Sequence, residues 1–146
     1  MTLQQAFEAA CTKFTGHNFD QLTEAERVLV AIWGLEAEVN NGGFDLYYFN
    51  GAGAQARHAP PALRKIGAHA MAEIVERANS LFGEQGPPED DHLRREALRA
   101  LTHANKAEWD DLDRSFYAYP DDVSGLLEQY LGLGSPDKSL ERTPEG

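Results

Sequence analysis

Leu22–Asn50 reads LTEAERVLVAIWGLEAEVNNGGFDLYYFN, and the parsing of this stretch decides the fold. Ala25, Val28, Leu29, Ile32, Leu35 and Val39 recur at helical spacing and form one buried stripe, with Trp33 beside it. Thr23 and Glu26 stand three residues apart at its start, the reciprocal pairing of a capping box. Asn40-Asn41-Gly42-Gly43 then ends the helix, because Asn and Gly tolerate the left-handed backbone of a helix terminus. Phe44, Tyr47, Tyr48 and Phe49 restart the chain as a short helix driven into the core, so the expected element is helix–turn–helix. A Gly-rich turn ahead of a helix can also expose amides to an anion. Here no strand precedes it, no GxxxxGK[ST] is present and acids crowd around it, which argues against a phosphate site. The remaining alternative is a concave aromatic pocket at Gly42, Gly43, Tyr47 and Tyr48 that takes a small ligand or a peptide.

Outward from this stretch the pattern stays helical. Leu3, Phe7, Ala10, Cys11 and Phe14 define one face of an N-terminal helix that closes at Gly16-His17-Asn18. Pro60 and Pro61 open a long helix with Leu63, Ile66, Ala70, Ile74, Ala78 and Leu81 inward, ended by Gly83. After the Gly/Pro loop Glu84–Pro88, three helices follow. Their inward positions are Leu93, Ala97 and Leu101; Trp109, Leu112 and Phe116; and Val123, Leu126, Leu127, Tyr130 and Leu131. No alternating run reads as a strand. The expectation is an all-α, single-domain bundle of about six helices over residues 1–131, with a loose polar tail at 132–146.

The 146 residues carry 24 acids and 13 bases, a net charge of −11. Such a field repels nucleic acid and anionic membranes and steers basic partners toward the surface. The surplus is uneven. Residues 1–83 hold nine acids and six bases, whereas residues 84–128 hold twelve acids and five bases, a net of −7. No apolar stretch approaches the ~20 residues of a membrane span, the N-terminus shows no secretory pattern, and one cysteine, Cys11, makes no internal disulfide. A cytoplasmic location is expected.

Catalytic signatures are missing. Glu89-x-x-His92 has the spacing used in helical di-iron sites, but those need a second copy and two more Glu residues. His69 with Glu73 and His92 with Glu96 are i, i+4 pairs of the kind that form surface ion pairs. No Gly-x-Ser-x-Gly appears. Cys11 falls on an apolar face with no base spaced to activate it. The reading is a non-enzyme without metal or cofactor.

EVNNGGFDLYYFN, preceded by a helix containing AER, together with IGAHAMAEIVERANSLF and WDDLDRSFYAYPDDVSGLLEQYL, resembles the DMP-nineteen-like family of small helical bacterial domains. The similarity spans roughly Leu22 to Leu131. The family's best-known member is an acidic DNA-mimic protein. The resemblance implies a chain that displays carboxylates where DNA displays phosphates and occupies the DNA-binding face of a transcription factor or another basic protein. Candidates, chosen by charge and expected exposure, are Asp90, Asp91, Asp110, Asp111, Asp113, Asp121 and Asp122, with Glu36, Glu38 and Asp45 as outliers. Arg94, Arg95 and Arg99 would interrupt such a surface.

Overall fold

The computed structural model describes residues 1–133; positions 134–146, most of the expected tail, lie outside the described residues. Among the described residues there are seven α-helices, two 3-10 segments and no strand. The helices are α1 (Leu3–Thr15), α2 (Glu24–Phe49), α3 (Ala59–Lys65), α4 (His69–Ser80), α5 (Asp91–Ala104), α6 (Lys106–Tyr117) and α7 (Val123–Leu131). Helix α2 is the axis, and α1, α3, α5, α6 and the 3-10 segment Gly51–His58 all pack on it.

The capping box of α2 forms as the sequence indicates: the Glu26 amide donates to Thr23 Oγ1 at 3.2 Å and the Thr23 amide to Glu26 Oε1 at 2.8 Å. Val28, Leu29, Ile32, Leu35 and Val39 are buried. The helix does not end at Asn40. It runs on to Phe49 and is interrupted at Gly42 (φ −158°, ψ 23°) and Gly43 (φ 77°, ψ −177°), so the expected turn is a break inside one helical run. The reason lies on α6, which bridges the break. Tyr117 Oη donates to the Val39 carbonyl at 2.7 Å on one side, and the Phe44 amide donates to Asp113 Oδ1 at 2.9 Å on the other. With both freed backbone groups satisfied, the chain has no need to loop away.

Beyond the break Phe44, Tyr47 and Tyr48 have no exposed surface. Their rings meet Trp109 and Phe116 of α6, with Phe44 to Phe116 edge-on at 5.7 Å and Tyr48 to Trp109 at 5.6 Å. Phe49 departs from expectation: it is 46% exposed, and the Arg95 guanidinium lies 4.7 Å from its ring centroid.

The single helix expected from Pro60 to Leu81 is two. Gly67 (φ +93°) takes the left-handed conformation after α3, with Ala68 N–H bonding to Leu63 O at 2.8 Å and Gly67 N–H to Arg64 O at 3.0 Å. This is a Schellman terminus. On α5 the inward face is shifted: Leu93 is 54% exposed, while Arg94 and Leu98 are buried. Arg94, wholly enclosed, takes the central place because its guanidinium finds partners there. Nε donates to Tyr48 O at 2.7 Å, and the terminal nitrogens donate to Pro88 O, Glu89 O, Asn50 O and Asp91 Oδ1. A buried charge so fully bonded knots α5 to the end of α2.

Candidate functional site

The broken helix gathers polar chemistry on the outer side of the α2–α6 seam. Asp113 approaches because the amide of Phe44 lacks a helical partner after the break. Gly43 makes room for it: a Cβ there would sit 2.6 Å from Asp113 Oδ2. Asp45 and Asp110 lie close enough to oppose its ionisation, so burial first and these like charges next raise the Asp113 carboxyl above its ordinary range, against the amide bond and Lys106, which lower it. Nearly two helical turns before the break, Glu36 accepts from Tyr119 Oη at 2.7 Å, and Asn40 Nδ2 donates to that tyrosine oxygen at 2.8 Å. Burial raises the Glu36 carboxyl as well, and the Tyr119 phenol is pushed up to about 12. Tyr119 is the one non-glycine among the described residues with positive φ, 47°. Its left-handed backbone, immediately ahead of Pro120, turns the chain so that the phenol reaches back to α2. Tyr117 and Tyr119 are 47% and 37% exposed.

The other sequence candidates are placed as follows. Asp90 and Asp122 are helix N-caps, accepting from the amides of Leu93 at 2.9 Å and Gly125 at 3.2 Å. Asp121 caps α4 from a distance, taking the Met71 amide at 2.8 Å. Asp91 pairs with Arg94 at 2.7 Å, Asp110 with Lys106 at 3.2 Å, and Asp111 stands between Arg114 at 3.4 Å and Arg77 at 3.7 Å. Glu38 accepts from Asn50 Nδ2 at 3.0 Å, and Asp45 from Thr102 Oγ1 at 3.2 Å. The structure therefore brings Asp45, Asp110 and Asp113 together; Asp90, Asp91 and Asp122 are engaged within their own helices, and Asp111, Asp121, Glu36 and Glu38 by groups on other elements. Asn41 is exposed beside the break. Of the three arginines expected to interrupt the acidic surface, Arg94 is interior. Arg95 donates to the Phe49 carbonyl at 2.7 Å, and Arg99 is exposed.

The alternative of an aromatic pocket at Gly42, Gly43, Tyr47 and Tyr48 needs accessible rings, and both tyrosines are completely enclosed. Packing against α5 and α6 has filled that space, so no ligand reaches them there. Tyr117 and Tyr119 complete the seam but were not among the sequence candidates; the aromatic pair ahead of a proline in FYAYP is the cue that was available. Among the described residues no three His, Cys, Asp or Glu side chains are grouped to hold a metal ion, and no helix is long and apolar enough to cross a membrane.

An all-helical chain with a broken axial helix, bridged by an acidic and tyrosine-bearing partner helix, defines the class. Residues 20–132 match the family model described as DMP19-like protein, and the chain belongs to that family. No curated protein and no solved structure matches it.

Proposed function

We propose that the protein is an acidic protein-binding module, with the α2–α6 seam as its docking edge for a basic partner. The observation that carries this reading is the grouping of Asp45, Asp110 and Asp113 on the seam that also holds half-exposed Tyr117 and Tyr119, with Lys106 paired to Asp110 at 3.2 Å. Tyrosines with an apolar body and a polar tip are favoured anchors of interfaces. The ion pairs on α5 and α6 do not remove the surplus: residues 84–128 keep a net −7. Carboxylates that cap helices remain anions at the surface. The family resemblance adds that the partner is a DNA-binding protein whose basic face the carboxylates occupy in place of phosphates. Duplex DNA presents about one charge per 1.7 Å of axis, and acids one helical turn apart lie ~5–6 Å from each other, so the match is to a subset of phosphates rather than to every one.

Capture from a cell lysate on the immobilised chain, at low and at high salt, tests this. The expected partner is basic, is lost as ionic strength rises and is displaced by duplex DNA. It is also retained less by a chain carrying Asp45→Asn and Asp110→Asn. Retention that ignores salt, DNA and both substitutions refutes the reading.

A further inference from the structure

A groove of about 400 Å³ lies between α1, the first arm of α2 and the 3-10 segment Gly51–His58, a size within the range of sites that seat ligands or side-chain anchors. Cys11, Phe14 and Val30 give it an apolar lining, and the Trp33 indole stands at its wall. That indole is 38% exposed and is steadied by the Phe7 ring, whose centroid is 5.1 Å away. Small residues shape the far wall. A Cβ on Gly34 would stand 3.0 Å from Ala52 Cβ, so α2 and the 3-10 segment approach closely beneath the groove. The polar contribution is one-signed. Glu38 and Asp91 both line it, and no Lys, Arg or His does. Each carboxylate uses one oxygen in a bond to the chain, Glu38 with Asn50 and Asp91 with Arg94, which leaves it a second.

We infer that this groove seats a cationic amphipathic peptide segment of a protein partner. An apolar anchor lies against Phe14 and Trp33, and a Lys or Arg passes over the indole face to Glu38 and Asp91. The inference rests on the protein-binding reading above and gives it a second, apolar contact distinct from the seam. Charge complementarity selects the occupant. An anionic or neutral apolar segment would place its own groups against the Glu38 carboxylate, which is bonded to the neutral Asn50 amide, and beside Asp91, which Arg94 already pairs; an ammonium or guanidinium gains the ion pair to Glu38 and the indole face.

A fluorescein-labelled dodecapeptide amide of Leu and Lys at amphipathic helical spacing is the probe, and the same peptide with Glu for every Lys is its control. Anisotropy titration of the full chain is expected to show saturable binding of the cationic peptide alone. In the amide–indole NMR spectrum the Trp33 indole resonance moves and that of enclosed Trp109 does not. Alkylation of Cys11 by iodoacetamide slows when the peptide is bound. Ala37 is exposed and lines the groove, so Ala37→Trp fills it from outside the core and should weaken binding by about tenfold or more. Glu38→Gln keeps an acceptor for Asn50, removes the charge, and should weaken binding about threefold. Equal binding to the chain with Ala37→Trp, with Trp33 and Cys11 unaffected, overturns the groove while leaving the seam reading intact, because the peptide then sits elsewhere on the acidic surface. Absence of binding by the cationic peptide also overturns the groove, and the lysate capture at two salts then decides separately whether the protein-binding reading fails.

Discussion

Gly43→Ala tests the structural heart of the molecule, the break in α2. At φ 77° and ψ −177° Gly43 occupies a region that is essentially reserved for glycine, and an L-residue held there costs about 1–3 kcal/mol. The added methyl also meets Asp113: its Cβ would be 2.6 Å from Oδ2 and 3.0 Å from Cγ. The carboxylate must swing off the Phe44 amide, forfeiting a charge-assisted bond. Asp113 is only partly buried, so that loss is set at the low end, about 1 kcal/mol. Together the two effects predict a destabilisation of roughly 2–4 kcal/mol. For a chain of this size each kcal/mol moves Tm by about 3–4 °C, so melting should fall by roughly 6–15 °C.

Far-UV circular dichroism during heating, backed by urea titration, measures it. The informative companion is Asp113→Ala. If the clash and the lost bond are one event, the double substitution costs less than the sum of the singles by about 1 kcal/mol. Gly42→Ala is the companion at the other half of the break: its added methyl would stand 2.8 Å from Leu46 Cδ2 and 2.9 Å from Leu46 Cβ, so Leu46 must shift, but it meets no atom of Asp113. Its cost should add to that of Asp113→Ala, because the two sites share no contact. A melting point for Gly43→Ala within about 2 °C of the parent, or strictly additive costs with Asp113→Ala, would refute the account of a glycine-only break held by Asp113.

Tyr47 and Tyr48 are equally enclosed but differ in their hydroxyls. Tyr48 Oη donates to Asn79 Oδ1 at 2.6 Å, whereas Tyr47 Oη has no partner. Tyr48→Phe should cost ~1–3 kcal/mol in urea unfolding, and Tyr47→Phe should be neutral or stabilising; equal effects would contradict the assignment. Arg94→Met leaves the carbonyls of Tyr48, Pro88, Glu89 and Asn50 without their donor and should cost about 3–5 kcal/mol. Arg94→Lys should recover little of that, since an ammonium cannot fork across them. Because burial raises the Glu36 carboxyl, the folded chain binds that proton more readily than the unfolded one. Stability therefore declines as pH rises through the window just above the usual glutamate value. Glu36→Gln, which still accepts from Tyr119, should flatten the stability curve over about pH 4 to 7; an unchanged slope would place the titration elsewhere. Asp45→Asn relieves one like charge on Asp113 and keeps an acceptor for Thr102, so it should gain about 0.2–0.5 kcal/mol. A net loss in the same unfolding assay would show that the acids are not in conflict.

Helix existence was legible because apolar spacing and local caps are short-range signals: Thr23 with Glu26, and Trp109, Leu112 and Phe116 on one face, all read correctly. What failed was decided by partners far along the chain. Asp113 answers the Phe44 amide across 69 positions and Asp121 the Met71 amide across 50. No window of sequence contains both halves of such a pair, so each looked like a plain surface acid. Leu93 and Arg94 show the same limit. Periodicity assigned the leucine inward, but four carbonyls converging from α2 and the Pro88 loop made the arginine the better interior residue. The division of α3 from α4 was in principle readable, since Gly67 marks the Schellman terminus, but a glycine inside a strong apolar stripe is equally compatible with a continuous helix. For the site, composition located the charge on α5 to α7, and only the bridging of the α2 break explains why Asp110 and Asp113 lie beside Asp45.

The engagement of so many candidate acids in caps and ion pairs bears on binding in a way that a count of charges misses. A carboxylate that accepts a main-chain amide is still an anion, and the amide fixes where it stands. Asp90 and Asp122 are held by their own helices, and Asp113 and Asp121 by the ends of others. Each is an aspartate, with a short side chain and little rotamer freedom to lose. A surface that served solubility alone would be as well served by long, mobile glutamates, whose ordering on contact costs about 0.5–1.5 kcal/mol per side chain. Anions already immobilised by the fold avoid most of that cost when a basic face arrives. The capping that at first looks like a competing use of these residues therefore makes their charge more usable, provided the partner reads position as well as sign.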